Sequence, residues 1–137
     1  MPGHRPHKTR LTDPERAILN VLMLDEVDES IPDVLNGCRT DDLAVFERAI
    51  LRLYQLGFVE FWKYIPGRTT LGHAGEWYRL DPAEVDGLPS IDRLVERRRD
   101  GLWAWRHVDD KETYEGIPSV LASVAPTEAG IRAYRGE

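Results

Sequence analysis

The sequence has few of the features that define secreted, membrane-bound or catalytic proteins. It contains one cysteine, Cys38, in 137 residues, which excludes an internal disulfide and is typical of a reducing compartment. No apolar run approaches the ~20 residues that a membrane-spanning helix needs. The basic stretch over residues 1–10 is not followed by a hydrophobic segment, so we expect no secretory signal. We therefore expect a cytoplasmic protein with no membrane partner.

Catalytic motifs are also absent from the sequence. There is no glycine-rich phosphate loop, no nucleophile elbow and no paired histidine and cysteine, and the carboxylates are scattered along the chain. His73 and Glu76 are three residues apart, but two ligands in a glycine-rich stretch are a weak metal signal. We expect no enzymatic activity, no cofactor and no metal site.

Charge is unevenly distributed along the chain. The net charge is -6, which opposes simple affinity for nucleic acid. Residues 11–47 hold ten acids and two bases, whereas residues 48–80 hold five bases and two acids. Residues 1–10 carry Arg5, Lys8 and Arg10 with no acid, and we expect them to form a flexible basic arm. The acidic and basic segments therefore favour different partners.

Residues 40–59 predict a capped amphipathic helix that leads directly into a strand. Thr40 is the expected N-cap, and Gly57 suits the left-handed end of the helix. One apolar stripe recurs at helical spacing: Leu43, Phe46, Ile50, Leu53 and Tyr54. The opposite face carries Asp41, Arg48, Arg52 and Gln55.

The remaining elements follow from caps, periodicity and breakers. Thr12 and Glu15 predict a capping box for a first helix that ends near residue 25, and a short helix covers residues 30–36. Residues 58–65 and 76–80 predict a hairpin, and residues 102–108 and 119–125 predict further strands. Residues 90–99 predict a helix, and a last helix or helical turn follows residue 126. Aromatic residues in strands usually belong to the core, although a stacking or ligand site stays open for Trp62, Trp77, Trp103 and Trp105.

The segment VFERAILRLYQLGFVE resembles winged helix-turn-helix proteins of the MarR and PadR type, through Phe46, Arg48, Leu53, Gly57 and Val59. In this family a strand closes the wing and a helix follows it. Two later segments of the chain resemble this strand and helix: GEWYRLDPAE and SVLASVAPTEAGIRAYR. The resemblance implies an α+β winged helix-turn-helix, with three helices plus a β-hairpin wing, over residues 11–80. Residues 81–137 would be a C-terminal helix/strand extension packed on the same domain.

The resemblance further implies a protein that binds double-stranded DNA and acts as a transcriptional regulator. Arg48, Arg52 and Gln55 would then read bases or phosphates, and Lys63 and Arg68 would contact the flanking backbone. Two alternatives remain open. In the first, the side chains of Arg48, Arg52 and Gln55 form an ordinary solvated face, paired with Glu47 and Asp41. In the second, the chain is a protein-protein interaction module that uses its acidic surface, such as an adaptor, an inhibitor or a phage- or plasmid-borne antagonist. A homodimer is compatible with either function, and Cys38 is either a buried structural residue or a thiol sensor.

Overall fold

The computed structural model describes residues 10–25, 28–65, 76–106 and 120–137, which form an α+β fold with antiparallel sheets. The helices in this part of the chain are α1 (Asp13–Asp25), α2 (Ile31–Cys38), α3 (Leu43–Gln55), α4 (Pro82–Asp86), α5 (Ile91–Leu94) and α6 (Glu128–Arg135). The strands are β1 (Glu29–Ser30), β2 (Val59–Ile65), β3 (Glu76–Arg79), β4 (Val95–Arg97), β5 (Trp103–Trp105) and β6 (Ser123–Pro126). None of the described helices has the length and apolar character required to cross a bilayer.

The first two helices begin where their capping residues predict. The Thr12 amide donates to Glu15 Oε1 at 2.8 Å, and the Glu15 amide donates to Thr12 Oγ1 at 3.4 Å, which confirms the predicted capping box. Ser30 caps α2 by accepting a hydrogen bond from the Asp33 amide. Arg39 follows α2 in the left-handed conformation, with φ 53°, and turns the chain towards α3.

Helix α3 begins two residues later than predicted. The expected N-cap Thr40 is wrong: Asp42 caps the helix, and its Oδ1 accepts hydrogen bonds from the Ala44 and Val45 amides. Thr40 Oγ1 instead accepts from the Asp42 amide, so Thr40 shapes the turn that precedes the cap. At the other end, Gly57 has φ +77°, as its predicted role in ending the helix requires.

The larger sheet has the strand order β1-β6-β2-β3. The predicted hairpin is confirmed, because β2 and β3 pair with Trp62 opposite Arg79. Strand β6 pairs with the other edge of β2, where Phe61 lies opposite Val124. The two segments that resemble a wing-closing strand therefore both pair with β2, on opposite sides, and the sheet includes a strand from well beyond residue 80.

The hydrophobic core lies between the helices and one face of this sheet. Helix α1 packs against α2, α3 and α6, and α3 packs against β2. Within the predicted stripe of α3, Phe46, Ile50 and Leu53 are buried, and Leu43 and Tyr54 are half-buried. The sheet and the other helices contribute further buried residues, including Leu19, Leu22, Val34, Leu35, Phe61, Val85 and Val124.

The predicted helix over residues 90–99 is wrong beyond its first turn. Helix α5 ends at Leu94, and Val95 takes an extended conformation with φ -125° and ψ 158°. Strand β4 then pairs with β5, with Arg97 opposite Trp103. The Arg97 guanidinium carbon lies 4.4 Å from the centroid of the Trp103 ring. This cross-strand packing outweighs the helical spacing of the apolar residues, and the β-branched Val95 favours the strand.

The β4-β5 hairpin packs on α2 and on the turn before α3. The Asn36 side chain donates to the Trp103 carbonyl at 3.0 Å and accepts from the Trp103 amide at 2.7 Å. The Trp103 indole also donates to the Thr40 carbonyl at 3.0 Å. Residues 81–106 are thereby attached to the helices that precede β2.

Candidate functional site

The first candidate surface is the outer face of α3, which we define as Arg48, Arg52 and Gln55. These residues are four and seven positions apart, so they lie on one side of the helix. Arg48 and Gln55 are exposed, and their side chains make no hydrogen bond or ion pair with the rest of the described chain. These two side chains are therefore available to a partner.

Arg52 on the same face is already engaged. Its Nη1 atom donates to Glu15 Oε2 at 2.7 Å and also to Glu15 Oε1. Glu15 is only 1% exposed. Burial alone would raise the pKa of Glu15, but the hydrogen bonds from Arg52 and from the Thr12 amide outweigh it and bring the pKa below its ordinary value. Arg52 thus neutralises a buried carboxylate.

The predicted wing cation Lys63 is also engaged. Its ammonium group makes an ion pair with Glu84 of α4, and this hydrogen bond lowers the pKa of the Glu84 carboxyl. Arg68, the other predicted wing contact, lies outside the described residues, as do Arg5, Lys8 and His73. The sequence could not show the pairing of Lys63, because its partner is 21 residues away.

Acidic residues surround the start of α3. Asp41 and Asp42 are exposed, and Asp41 makes an ion pair with Arg97 of β4. Glu47 accepts a hydrogen bond from the Ile91 amide at 2.8 Å. The pairing of Arg52 with Asp41 or Glu47 that the solvated-face interpretation proposed is therefore wrong, since all three have other partners. The DNA-contacting role of the five predicted residues stays a prediction.

The second candidate surface is on the larger sheet. Tyr64 lies opposite Trp77 in the β2-β3 register, and their ring centroids are 5.1 Å apart in an edge-on arrangement. Trp62 lies opposite Arg79, so its side chain is on the same face as these rings. Trp77 is 49% exposed, which makes the core prediction wrong for this residue, whereas Trp62 is half-buried. The sequence did carry a signal for an exposed aromatic residue here: Trp77 and Tyr78 are adjacent in β3, so they lie on opposite faces of the strand and cannot both face the core.

A cleft of about 310 Å³ opens on this face, and we call it the tryptophan cleft. Its lining residues are Asp28, Glu60, Trp62, Trp77 and Ala125. Glu60 is partly neutralised by Arg79, whose Nη1 lies 3.2 Å from Glu60 Oε1. Asp28 is exposed and has no hydrogen-bond or ion-pair partner in the described part of the chain. The cleft therefore combines two indole rings with a free carboxylate.

Cys38 and the titratable residues show no sign of a reactive centre within the described ranges. Burial raises the pKa of the Cys38 thiol to about 11, so the thiol is protonated at neutral pH and is a poor nucleophile. This favours the structural interpretation of Cys38 over the thiol sensor. In the same ranges, no three His, Cys, Asp or Glu side chains are grouped closely enough to hold a metal ion.

Comparisons of this chain with protein-family models, with curated proteins and with solved structures found no match.

Proposed function

We propose that this chain is a winged-helix protein-interaction module whose tryptophan cleft binds a basic segment of a partner protein. The observation that carries the proposal is the position of Trp62 and Trp77 beside the carboxylates of Asp28 and Glu60. Indole faces and carboxylates together attract guanidinium and ammonium groups, and the indoles also offer apolar contact area. An arginine or lysine side chain is the ligand that matches this chemistry.

The winged-helix part of the proposal is supported by the order of the elements. Helix α2, a tight turn and α3 are followed directly by β2, and β6 pairs antiparallel with both β1 and β2. Two helices joined by a short turn beside a small antiparallel sheet are the arrangement that the family resemblance implies. Strands β3 and β6 are the two candidates for the strand that closes the wing, because both pair with β2, and residues 81–106 lie between them in the sequence.

Charge supports a protein partner of basic character. The chain carries 24 acids against 18 lysines and arginines. Two cations that a DNA-binding surface would use, Arg52 and Lys63, are held by Glu15 and Glu84. An acidic surface raises the association rate with a basic partner and opposes approach to phosphates.

The test is an isothermal titration calorimetry experiment in which the full chain is titrated with a short peptide that contains arginines in a glycine-serine background. A peptide with glutamine at each arginine position is the matched control ligand. We expect Trp77→Ala to weaken binding of the arginine peptide about two- to thirtyfold, since a cation over an indole contributes about 0.5–2 kcal/mol. Leu102→Ala, which alters an exposed apolar residue away from the cleft, should leave binding unchanged. Equal affinity for both peptides would overturn the proposal.

A second candidate function, DNA binding as a transcriptional regulator, is favoured by one observation. Arg48 and Gln55 are exposed and unpaired in the described structure, and both side chains suit base edges or phosphates. This function predicts affinity for random duplex DNA at about 50 mM salt that falls steeply as salt rises. Arg48→Ala should reduce the affinity and lower the salt slope by about one, whereas Arg93→Ala on α5 should not. If the chain did not bind duplex DNA at low salt, DNA binding would be excluded and the protein-interaction function would be the remaining candidate.

A further inference from the structure

A cavity of about 240 Å³ lies between α3 and residues 85–91, and we call it the α3 cavity. Leu51 and Tyr54 line it from the helix, and Val85 and Leu88 line it from the facing segment. Phe61 of β2 forms part of the floor, and its ring stacks on Tyr54 with centroids 5.2 Å apart. The walls are therefore aliphatic and aromatic, and they come from segments far apart in the sequence.

The volume of the α3 cavity is sufficient for a small organic ligand. Apolar cavities of about 150 Å³ in protein interiors stay dry and bind benzene. The α3 cavity is larger than this, so it accommodates a fused two-ring system. The rings of Tyr54 and Phe61 offer such a ligand aromatic contacts.

The polar side-chain groups of the lining are the carboxylates of Glu47 and Asp86, the amide of Gln55 and the hydroxyl of Tyr54. Glu47 uses one carboxylate oxygen to accept from the Ile91 amide, and its other oxygen has no partner among the described residues. Asp86 is exposed at the end of α4 and has no partner there either. The lining therefore holds two carboxylates and no lysine, arginine or histidine side chain, so it attracts an ammonium group and repels an anion.

We infer that the α3 cavity is a binding site for a small aromatic amine, with the ring system among the apolar side chains and the ammonium group at Glu47 and Asp86. This inference is independent of the tryptophan cleft, which lies on the sheet and shares no lining residue with the cavity. Because both α3 and residues 85–91 contribute walls, an occupied cavity joins the two segments. The free energy of binding then adds to the stability of the fold.

The experiment compares three ligands of similar shape: tryptamine, the neutral 3-ethylindole and the anionic indole-3-propionate. Calorimetry gives the affinities, and methyl chemical shifts of Leu51, Val85 and Leu88 locate the site. We expect tryptamine to bind at least tenfold more tightly than 3-ethylindole and indole-3-propionate not to bind. Tryptamine should also raise the melting temperature.

Two charge variants and one volume variant complete the test. Asp86→Asn should weaken the binding of tryptamine up to about fivefold, as expected for the loss of an exposed ion pair, and should leave the affinity for 3-ethylindole unchanged. Asp33→Asn, at an exposed site on α2, is the matched control and should change the affinity for neither ligand. Leu51→Trp should fill the cavity and abolish binding of both, and far-ultraviolet circular dichroism checks that this variant is folded. The inference would be overturned if tryptamine did not bind, or if all three variants left its binding unchanged. Tighter binding of 3-ethylindole than of tryptamine would overturn the assignment of the amine.

Discussion

Arg52 of α3 and Glu15 of α1 form a hydrogen-bonded ion pair across 37 positions of sequence, with Nη1 2.7 Å from Oε2. The same carboxylate closes the capping box at the start of α1 by accepting from the Thr12 amide. One buried acid therefore organises the start of one helix and holds the side chain of another. Arg52 was predicted to contact DNA, and in the fold it connects two helices.

Replacing Arg52 should destabilise the protein more than replacing its neighbour on the same face. Arg52→Ala leaves the carboxylate of Glu15 buried without its cation, and we expect the free energy of unfolding to fall by about 2 kcal/mol. Arg48→Ala removes an exposed, unpaired side chain and should change it by less than about 0.5 kcal/mol. Urea denaturation of both variants measures the difference. Equal losses would contradict a structural role for Arg52.

The same pair predicts how stability depends on pH. The pKa of Glu15 is lower in the folded state than its ordinary value of 4.5. Its contribution is therefore fully present above pH 4.5 and is lost as the pH falls through the folded-state pKa. Glu15→Gln removes this contribution, so the stability difference between the natural chain and the variant should shrink on acidification below that pH. Melting temperatures from pH 7 to pH 3 test this at intervals of about half a unit. Asp13→Asn, at an exposed site in the same turn, is the control, and a constant difference for Glu15→Gln would contradict the prediction.

Gly130 permits the closest approach of α6 to the chain before β2. A Cβ atom at this position would lie 2.1 Å from the Phe58 carbonyl oxygen, which is backbone and cannot rotate away. We expect Gly130→Ala to reduce the free energy of unfolding by about 2 kcal/mol or more. Gly87→Ala is the matched control, since its nearest contact would be 3.5 Å, and it should be neutral or slightly stabilising. Thermal denaturation of the two variants separates them, and a neutral Gly130→Ala would contradict the close approach.

The attachment of the β4-β5 hairpin depends on Asn36. Its amide makes two hydrogen bonds with the Trp103 backbone, so Asn36→Ala should cost about 1–2 kcal/mol. Asn36→Asp retains the acceptor but loses the donor and places a charge beside the Trp103 carbonyl, so it should cost at least as much. Hydrogen exchange at the Trp103 amide should accelerate in Asn36→Ala, which removes the acceptor of that amide. Unchanged exchange would mean that the hairpin is held by other contacts.

Local sequence signals predicted the elements whose stabilising contacts are close in sequence. The capping box of Thr12 and Glu15 joins residues three apart, and the apolar stripe of α3 recurs every three or four residues. The β2-β3 hairpin is confirmed for the same reason, because alternation and breakers mark its strands. Even the error at Thr40 is confined to two residues at one end of α3.

The sequence by itself determined which segments are amphipathic, where most of them begin, and that the chain is an α+β protein with an acidic segment over residues 11–47. Only the tertiary structure decided that residues 95–97 form a strand, that β6 lies between β1 and β2, and that Arg52 and Lys63 have acidic partners. The physical reason is distance along the chain. Caps and periodicity act over one or two helical turns, whereas strand pairing and ion pairs join residues tens of positions apart, which no local pattern specifies.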